Sequence, residues 1–317
     1  MSRQPTPSRP VRPRPARVLS IVLLALALLA GLAAPADATG KRRAPRIAGM
    51  VYVESNQSFE TSWDALIAAL DANPNIGIVA TIDHAAAAAS VGLDLDPNRV
   101  VVFGNPALGS PLMAINQTAG LDLPQRIHLF ERRGRVFVGF NDTTFLAARH
   151  RLGDAPTLDT IAGALRALTA VAIDGEVDAE ARGSRWFRWR PGLITRHSDA
   201  DVDTTWNRLL AAIDASPASV VFTVDHEANA DRVGIDLRPT RVVVFGSPNI
   251  GTPLMQKRPT AGIDLPLKIL VWEDEHGRTR VTTNGLPLAR RHGLRARDLT
   301  AVETAIDNFL TAATTTP

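Results

Sequence analysis

Residues 101–113 read VVFGNPALGSPLM, and residues 243–255 read VVFGSPNIGTPLM. The same glycine- and proline-punctuated stretch is written twice, and working outward from it shows how far the copy extends. Residues 81–131 align without gaps to 223–273 at an offset of 142, with 29 of 51 positions identical. Upstream, SWDALIAALDA (62–72) matches TWNRLLAAIDA (205–215), and downstream Arg149-His150-Arg151-Leu152 matches Arg291-His292-Gly293-Leu294. Solenoid repeats run to roughly 20–45 residues. This period is far longer, so the chain contains two whole domains of one kind, expected over 49–173 and 193–314. The charged, glycine-dotted stretch 174–192 shows no clear periodicity and reads as the linker between them.

The start of the chain reads differently. Arg3, Arg9, Arg12, Arg14 and Arg17 precede an apolar run of 15 residues, Leu19 to Ala33, and Ala36-Asp37-Ala38 offers small residues for cleavage. That order is a positively charged, then an apolar, then a cleavage region. The run is short of the roughly 20 residues a spanning helix needs. A Sec-type signal peptide over 1–38 is therefore expected in preference to a retained anchor, followed by a linker over 39–48 and an extracytoplasmic location. The leader also carries the basicity. The chain holds 35 Lys+Arg against 32 Asp+Glu; without the leader's five Arg and one Asp, 30 face 31, a net charge of −1. Nucleic acid, which needs a basic face, is not an expected partner. With no cysteine, disulfides and thiolate chemistry are excluded.

Hydrophobic periods order the elements within each copy. Met50–Val53 and Leu193–Thr195 are short strand candidates. Trp63, Leu66, Ile67 and Leu70 recur at helical spacing behind Ser58 or Thr61 as caps. The β-branched runs 76–82 and 220–224 are strands, then an alanine-rich helix runs from His84 toward Gly92, and a strand spans 99–103. Residues 127–131 and 135–140 straddle Arg132–Gly134 as a hairpin, and Leu158–Ala172 carries a closing helical stripe. Strands with sparse crossovers predict an α+β class: two tandem two-layer sandwiches, mostly antiparallel sheet with helices packed on it.

The repeated stretch resembles a phosphate-binding loop in its G-x-x-x-x-G-[ST] skeleton at 104–110, but the lysine that reaches the outer phosphates is absent. Pro106 and Pro111, and Pro248 and Pro253 in the second copy, each remove a backbone donor. A hydrolase elbow needs G-x-S-x-G, which Gly109-Ser110-Pro111 does not supply. The residues predict a structural corner instead. Asn105 or Ser247 starts a turn, Gly109 or Gly251 takes positive φ, and Ser110 or Thr252 caps a short helix whose first position is Pro111 or Pro253. Such a capped helix start makes Gly109, Ser110, Gly251 and Thr252 a candidate anion-binding turn.

Together, DH-x-A-x-A at 83–88 and 225–230, FG-[NS]-P-x-[LI]-G-[ST]-PLM, and AG-[LI]-DLP at 119–124 and 261–266 resemble the bacterial domain-of-unknown-function family 302. The resemblance covers both copies, and it implies a compact α+β domain. It brings no agreed activity, cofactor or catalytic residue.

Several polar residues are the same in both copies, among them Asp83 and Asp225, His84 and His226, Arg99 and Arg241, Asp122 and Asp264. Asp83-His84 and Asp225-His226 lie where a strand gives way to a helix. Asp83 is expected to cap that helix with His84 in its first turn; the sharper reading makes the Asp-His pairs ligand contacts or acid/base groups. No metal-ligand spacing is present, so no metal and no cofactor is expected. Asp122-Leu123-Pro124 reads as a turn in which Asp bonds its own backbone, and His150 and His292 as ordinary helix-end residues. Arg185-Trp186-Phe187-Arg188-Trp189-Arg190 reads as an interdomain strap whose rings pack on the domains. Duplicated structure without a recognisable catalytic set points to a tandem pseudo-dimer that binds a small molecule or a protein partner. The rival readings are a hydrolase or isomerase using the Asp-His pairs, and a structural envelope protein.

Overall fold

The computed structural model describes residues 44–316, so the predicted signal peptide lies outside the described residues. Each copy forms a five-stranded antiparallel sheet. The first comprises β1 (Met50–Glu54), β2 (Gly77–Asp83), β3 (Asn98–Gly104), β4 (Gln125–Arg132) and β5 (Arg135–Asn141), in the order β1-β5-β4-β3-β2. Its helices are α1 (Phe59–Asp71), α2 (His84–Ala89), α3 (Pro106–Ile115), α4 (Thr143–His150) and α5 (Leu158–Ile173). After a short helix α6 (Trp186–Trp189), the second sheet repeats the order as β6-β10-β9-β8-β7, from β6 (Leu193–His197), β7 (Ser219–Asp225), β8 (Thr240–Gly246), β9 (Leu267–Glu273) and β10 (Thr279–Asn284). Its helices are α7 (Val202–Asp214), α8 (His226–Asp231), α9 (Pro248–Lys257), α10 (Leu286–Arg290) and α11 (Ala296–Thr314). The chain is two tandem α+β domains.

Local chemistry explains most boundaries. Ser58 accepts a hydrogen bond from the Thr61 N–H to start α1, and Asp83 accepts from the Ala86 N–H to start α2. The β4–β5 hairpin turns through Arg133 and Gly134, both at positive φ, the two-residue geometry that suits the right-handed twist of the strands.

The strands β3 and β8 both contain the unbroken run RVVVF because each sheet is covered on both faces. Val101 and Phe103 face the helical layer with Leu66, Leu70, Ile127 and Leu165. Val100 and Val102 face the other way and meet Phe222 of the second domain; likewise Met50, Tyr52, Phe130 and Phe137 pack with Ile263. Leu121, from a 3-10 turn at Gln117–Leu121, packs on Val224, Val242 and Leu270. The equivalent turn, Pro259–Asp264, lies against β3 and β4. The two domains thus share an interior and form one compact unit.

Two local expectations are corrected. Residues 106–115 are helix throughout, with Asn105 as cap, Pro106 in its first turn and Pro111 inside it; α9 repeats this with Pro253 inside. Asn105 Oδ1 accepts the Ala107 N–H at 2.9 Å, and the Gly109 N–H is already donated to the Asn105 carbonyl. Gly109 and Gly251 do not adopt positive φ. The Asn-Pro start wins because Pro106 presets a helical φ where no N–H is needed, five residues before Ser110-Pro111 could compete. The second correction concerns 174–192. Val177, Ala179 and Ala181 alternate inward against the first core, and Phe187 is fully buried between Phe145 and Leu288, one from each domain. Trp189 remains 83% exposed, so only part of the aromatic strap packs.

Candidate functional site at the domain interface

His84 and His226 cross the boundary between domains. The His84 Nε2–H donates to the Gly262 carbonyl at 3.0 Å, and the His226 Nε2–H donates to the Gly120 carbonyl at 3.0 Å. A carbonyl can only accept, which fixes the proton on Nε2. Burial pushes both imidazoles down to about 4, with the carbonyl bonds opposing, so both are neutral near pH 7. The contacts demand close backbone approach. A Cβ on Gly120 would meet His226 at 3.0 Å, and one on Gly262 would meet Asn98 Oδ1 at 2.5 Å.

The adjacent carboxylates face elsewhere. Asp83 Oδ1 caps α2, and its Oδ2 accepts Arg99 Nε at 2.7 Å; Arg99 also pairs with Glu60. Burial raises the Asp83 carboxyl, but the Ala86 N–H and Arg99 outweigh it and leave it below the usual range. Asp225 repeats the arrangement with Ala228 and Arg241. Each pair therefore divides its work: the aspartate orders its own helix, and the histidine binds the neighbouring domain. No hydrogen bond joins the two side chains of either pair among the described residues.

Sequence reasoning missed the deepest polar groups. Asp122 does not bond its own backbone. It accepts from Arg149, from His150 Nε2 at 2.8 Å and from the second domain's Lys268 Nζ at 3.0 Å. Burial raises its carboxyl, but Arg149, then Lys268 and His150, hold it well below the ordinary range. Burial lowers the Lys268 ammonium to about 8 while Asp122 opposes. In the second domain Asp264 accepts from Arg291 at 2.8 Å and from His292 Nε2 at 2.8 Å. Each arginine reaches an asparagine of the other domain, Arg149 to Asn284 and Arg291 to Asn141. His150, in the last turn of α4, and His292 are thus buried and bonded to the clustered carboxylates rather than serving as caps alone. The signal was present in the repeated Asp-Leu-Pro and Arg-His-x-Leu motifs: each keeps charge in both copies, yet neither stands in an evident surface pattern.

Two concavities flank this interface, related by the internal duplication. One, of about 560 Å³, is lined by Asp83, His84 and Ala87 of the first domain and by Ser247, Gly251, Thr252, Met255 and Phe309 of the second. The other, of about 290 Å³, is lined by Asn105, Gly109, Ser110 and Met113 of the first domain and by His226, Asn229 and Arg232 of the second. The candidate residues meet across domains: Asp83 and His84 share one cleft with Gly251 and Thr252, and His226, without Asp225, shares the other with Gly109 and Ser110. Asp122 and Asp264 line neither cleft. The walls are mostly aliphatic and aromatic, with a few convergent polar groups, as in pockets for small organic molecules. Ser110 Oγ and Thr252 Oγ1 are buried without a hydrogen-bond partner. Such a buried orphan is costly unless something fills it. Four buried side-chain atoms have this property among the described residues, and the duplication relates these two. Near these walls no group of three or more metal-ligating side chains occurs among the described residues.

The profile of the domain of unknown function DUF302 matches residues 51–168 and again 194–313. The chain belongs to the DUF302 family. Part of the chain is also similar to curated proteins. The fluoride-specific ion channel FluC 1 of Brucella suis biovar 1 (strain 1330) is 41% identical over 104 residues, 32% of this chain and 41% of that protein. FluC 1 of Brucella abortus biovar 1 (strain 9-941) is likewise 41% identical over 104 residues, 32% of this chain and 38% of that protein. The chain spans about two-fifths of the length of these curated relatives. Among the described residues no helix is long and apolar enough to cross a membrane. A crystal structure of an uncharacterised conserved DUF302 protein from Bacillus stearothermophilus aligns with 19% identity and a TM-score of 0.33, over 40% of this chain and 96% of that one.

Proposed function

We propose that this DUF302 tandem is an exported binding module that holds a small, predominantly apolar molecule in the larger interdomain cleft. One observation carries the reading: the duplicated domains build two reciprocal clefts, each closed by the other domain's histidine, and each floored by a buried hydroxyl lacking a partner. The ligand is expected to bury most of its surface against residues such as Ile250, Met255 and Phe309. The volume of about 560 Å³ suits a small organic molecule. Export rests on the leader sequence. A neutral, hydrogen-bonded His84 favours a fixed wall over a proton shuttle, so binding is placed ahead of acid/base turnover.

Ala87 lies on the wall, half-buried within α2, and Ala87→Trp is expected to fill the cleft. Native mass spectrometry of protein purified from its own host should show a retained small molecule that denaturation releases. In Ala87→Trp that mass should be lost while the unfolding midpoint matches that of the wild type stripped of its ligand. An empty wild-type protein, or the same adduct at the same occupancy in the variant, contradicts the proposal.

A further inference from the structure

The duplication leaves one difference between the domains that the shared clefts do not explain. In the first domain the segment after α5 runs back across the gap between α5 and β1. Arg166 on α5 donates to the Val177 and Ala179 carbonyls at 3.2 Å each, and the Gly49 N–H donates to the Arg182 carbonyl at 2.8 Å. Val177, Ala179 and Ala181 point into the gap at every second position, against the core that contains Val51 and Val53. This is an extended segment seated by alternate side chains.

Among the described residues the same gap in the second domain is open. Strand pairing sets the equivalences: Asn141 opposite Met50 corresponds to Asn284 opposite Leu193. Gly49 then corresponds to Gly192, both at positive φ, and the matching burial along α5 and α11 places Asp307 where Arg166 stands. Gly192 and Asp307, the counterparts of the two anchors, both line a cavity of about 960 Å³. Ile194 is 40% exposed where its counterpart Val51 is 1% exposed. Among the described residues the Gly192 N–H has no acceptor, so the donor that holds the strap in the first domain is unused in the second. The cavity floor remains apolar, with Val302, Ile306 and Leu310 of α11.

We propose that this groove docks an extended segment of a partner protein, with small apolar residues at alternate positions and a basic residue between them. The alternation is the pattern that fills the first domain's groove, a recognised mode in which backbone bonds give affinity and alternate pockets give register. The basic residue follows from charge. Glu180 of the strap pairs with Arg166 in the first domain; in the second, Asp307 is already paired with Arg196 on the same wall, which leaves Glu303, one helical turn away, as the carboxylate facing an incoming basic residue.

The probe is a labelled peptide of residues 174–184 carrying Glu180→Lys, titrated into the full chain and followed by fluorescence anisotropy. Saturable binding is expected, about threefold tighter than for the unmodified peptide, the scale of one exposed ion pair. Ile194→Asp should weaken it more than tenfold without changing the unfolding midpoint, because Ile194 is exposed; an Ala179→Asp peptide should fail to bind. No saturation by about 1 mM peptide, binding unchanged in Ile194→Asp, or occupation of the groove by palmitate while the peptides fail would overturn the proposal.

Discussion

Between pH 6.5 and 4 the protein is expected to lose several kcal/mol of stability, because His84 and His226 are buried neutral at the interface. Unfolded histidine takes up its proton near pH 6.5, whereas these two, pushed down by burial, resist it to about 4. Over that window the unfolded chain binds more protons than the folded one, so stability falls as pH falls. A depression of this size corresponds to about 3 kcal/mol per histidine as a ceiling, at about 1.36 kcal/mol per pH unit. Burial also lowers His128, His150 and His292, which acts in the same direction. Asp122 and Asp264 are lowered instead by their cationic neighbours against burial, so their contribution persists to lower pH and is lost only below the ordinary carboxylate range. Thermal unfolding at pH 7, 5.5 and 4.2 should show a steep fall in midpoint. In the double variant His84→Gln with His226→Gln, whose amides can donate to the same carbonyls, the fall should be shallower. A midpoint that does not move across this window would show that the histidines are not held neutral by the interface.

Asp122→Ala is expected to cost about 3–5 kcal/mol, the range for removing one partner of a buried ionic group. Arg149 is fully buried and Lys268 nearly so; without the carboxylate these two cations are left uncompensated between the domains. Urea denaturation should show a lower midpoint with an unchanged slope. Lys268→Met in the Asp122→Ala background should recover part of the loss by removing one stranded charge, a coupling that separate sites would not show. A loss under about 1 kcal/mol, within the range of ordinary point substitutions, would mean that the cluster is wetter and more exposed than its geometry indicates.

The fold was legible in the sequence because its two strongest features are local or internal. Alternation and helical spacing located nearly every strand and helix, and the gapless match of 81–131 with 223–273 established two equivalent domains. What escaped was long-range. The repeated stretch at 101–113 looked like a turn because glycine and proline are turn residues, yet Asn105-Pro106 supplies an earlier and better helix start, and the helix tolerates Pro111 within it. Asp122 looked like a turn residue because its bonding partners, Arg149 and Lys268, lie 27 and 146 positions away. Spacing alone carries no trace of such pairing. The Asp-His pairs stand where a strand gives way to a helix, in the sequence and in the structure. Their division of labour was invisible, since the acceptor for His84 is a backbone carbonyl of the other copy.

The central claim is that the two copies fold as one cooperative body because each supplies groups that complete the other. Differential scanning calorimetry of the intact chain at pH 7 tests this most directly. The account predicts a single transition whose van't Hoff enthalpy equals the calorimetric enthalpy, the mark of one cooperative unit. Two separable transitions, one for each domain, with neither shifted by Asp122→Ala, would contradict it.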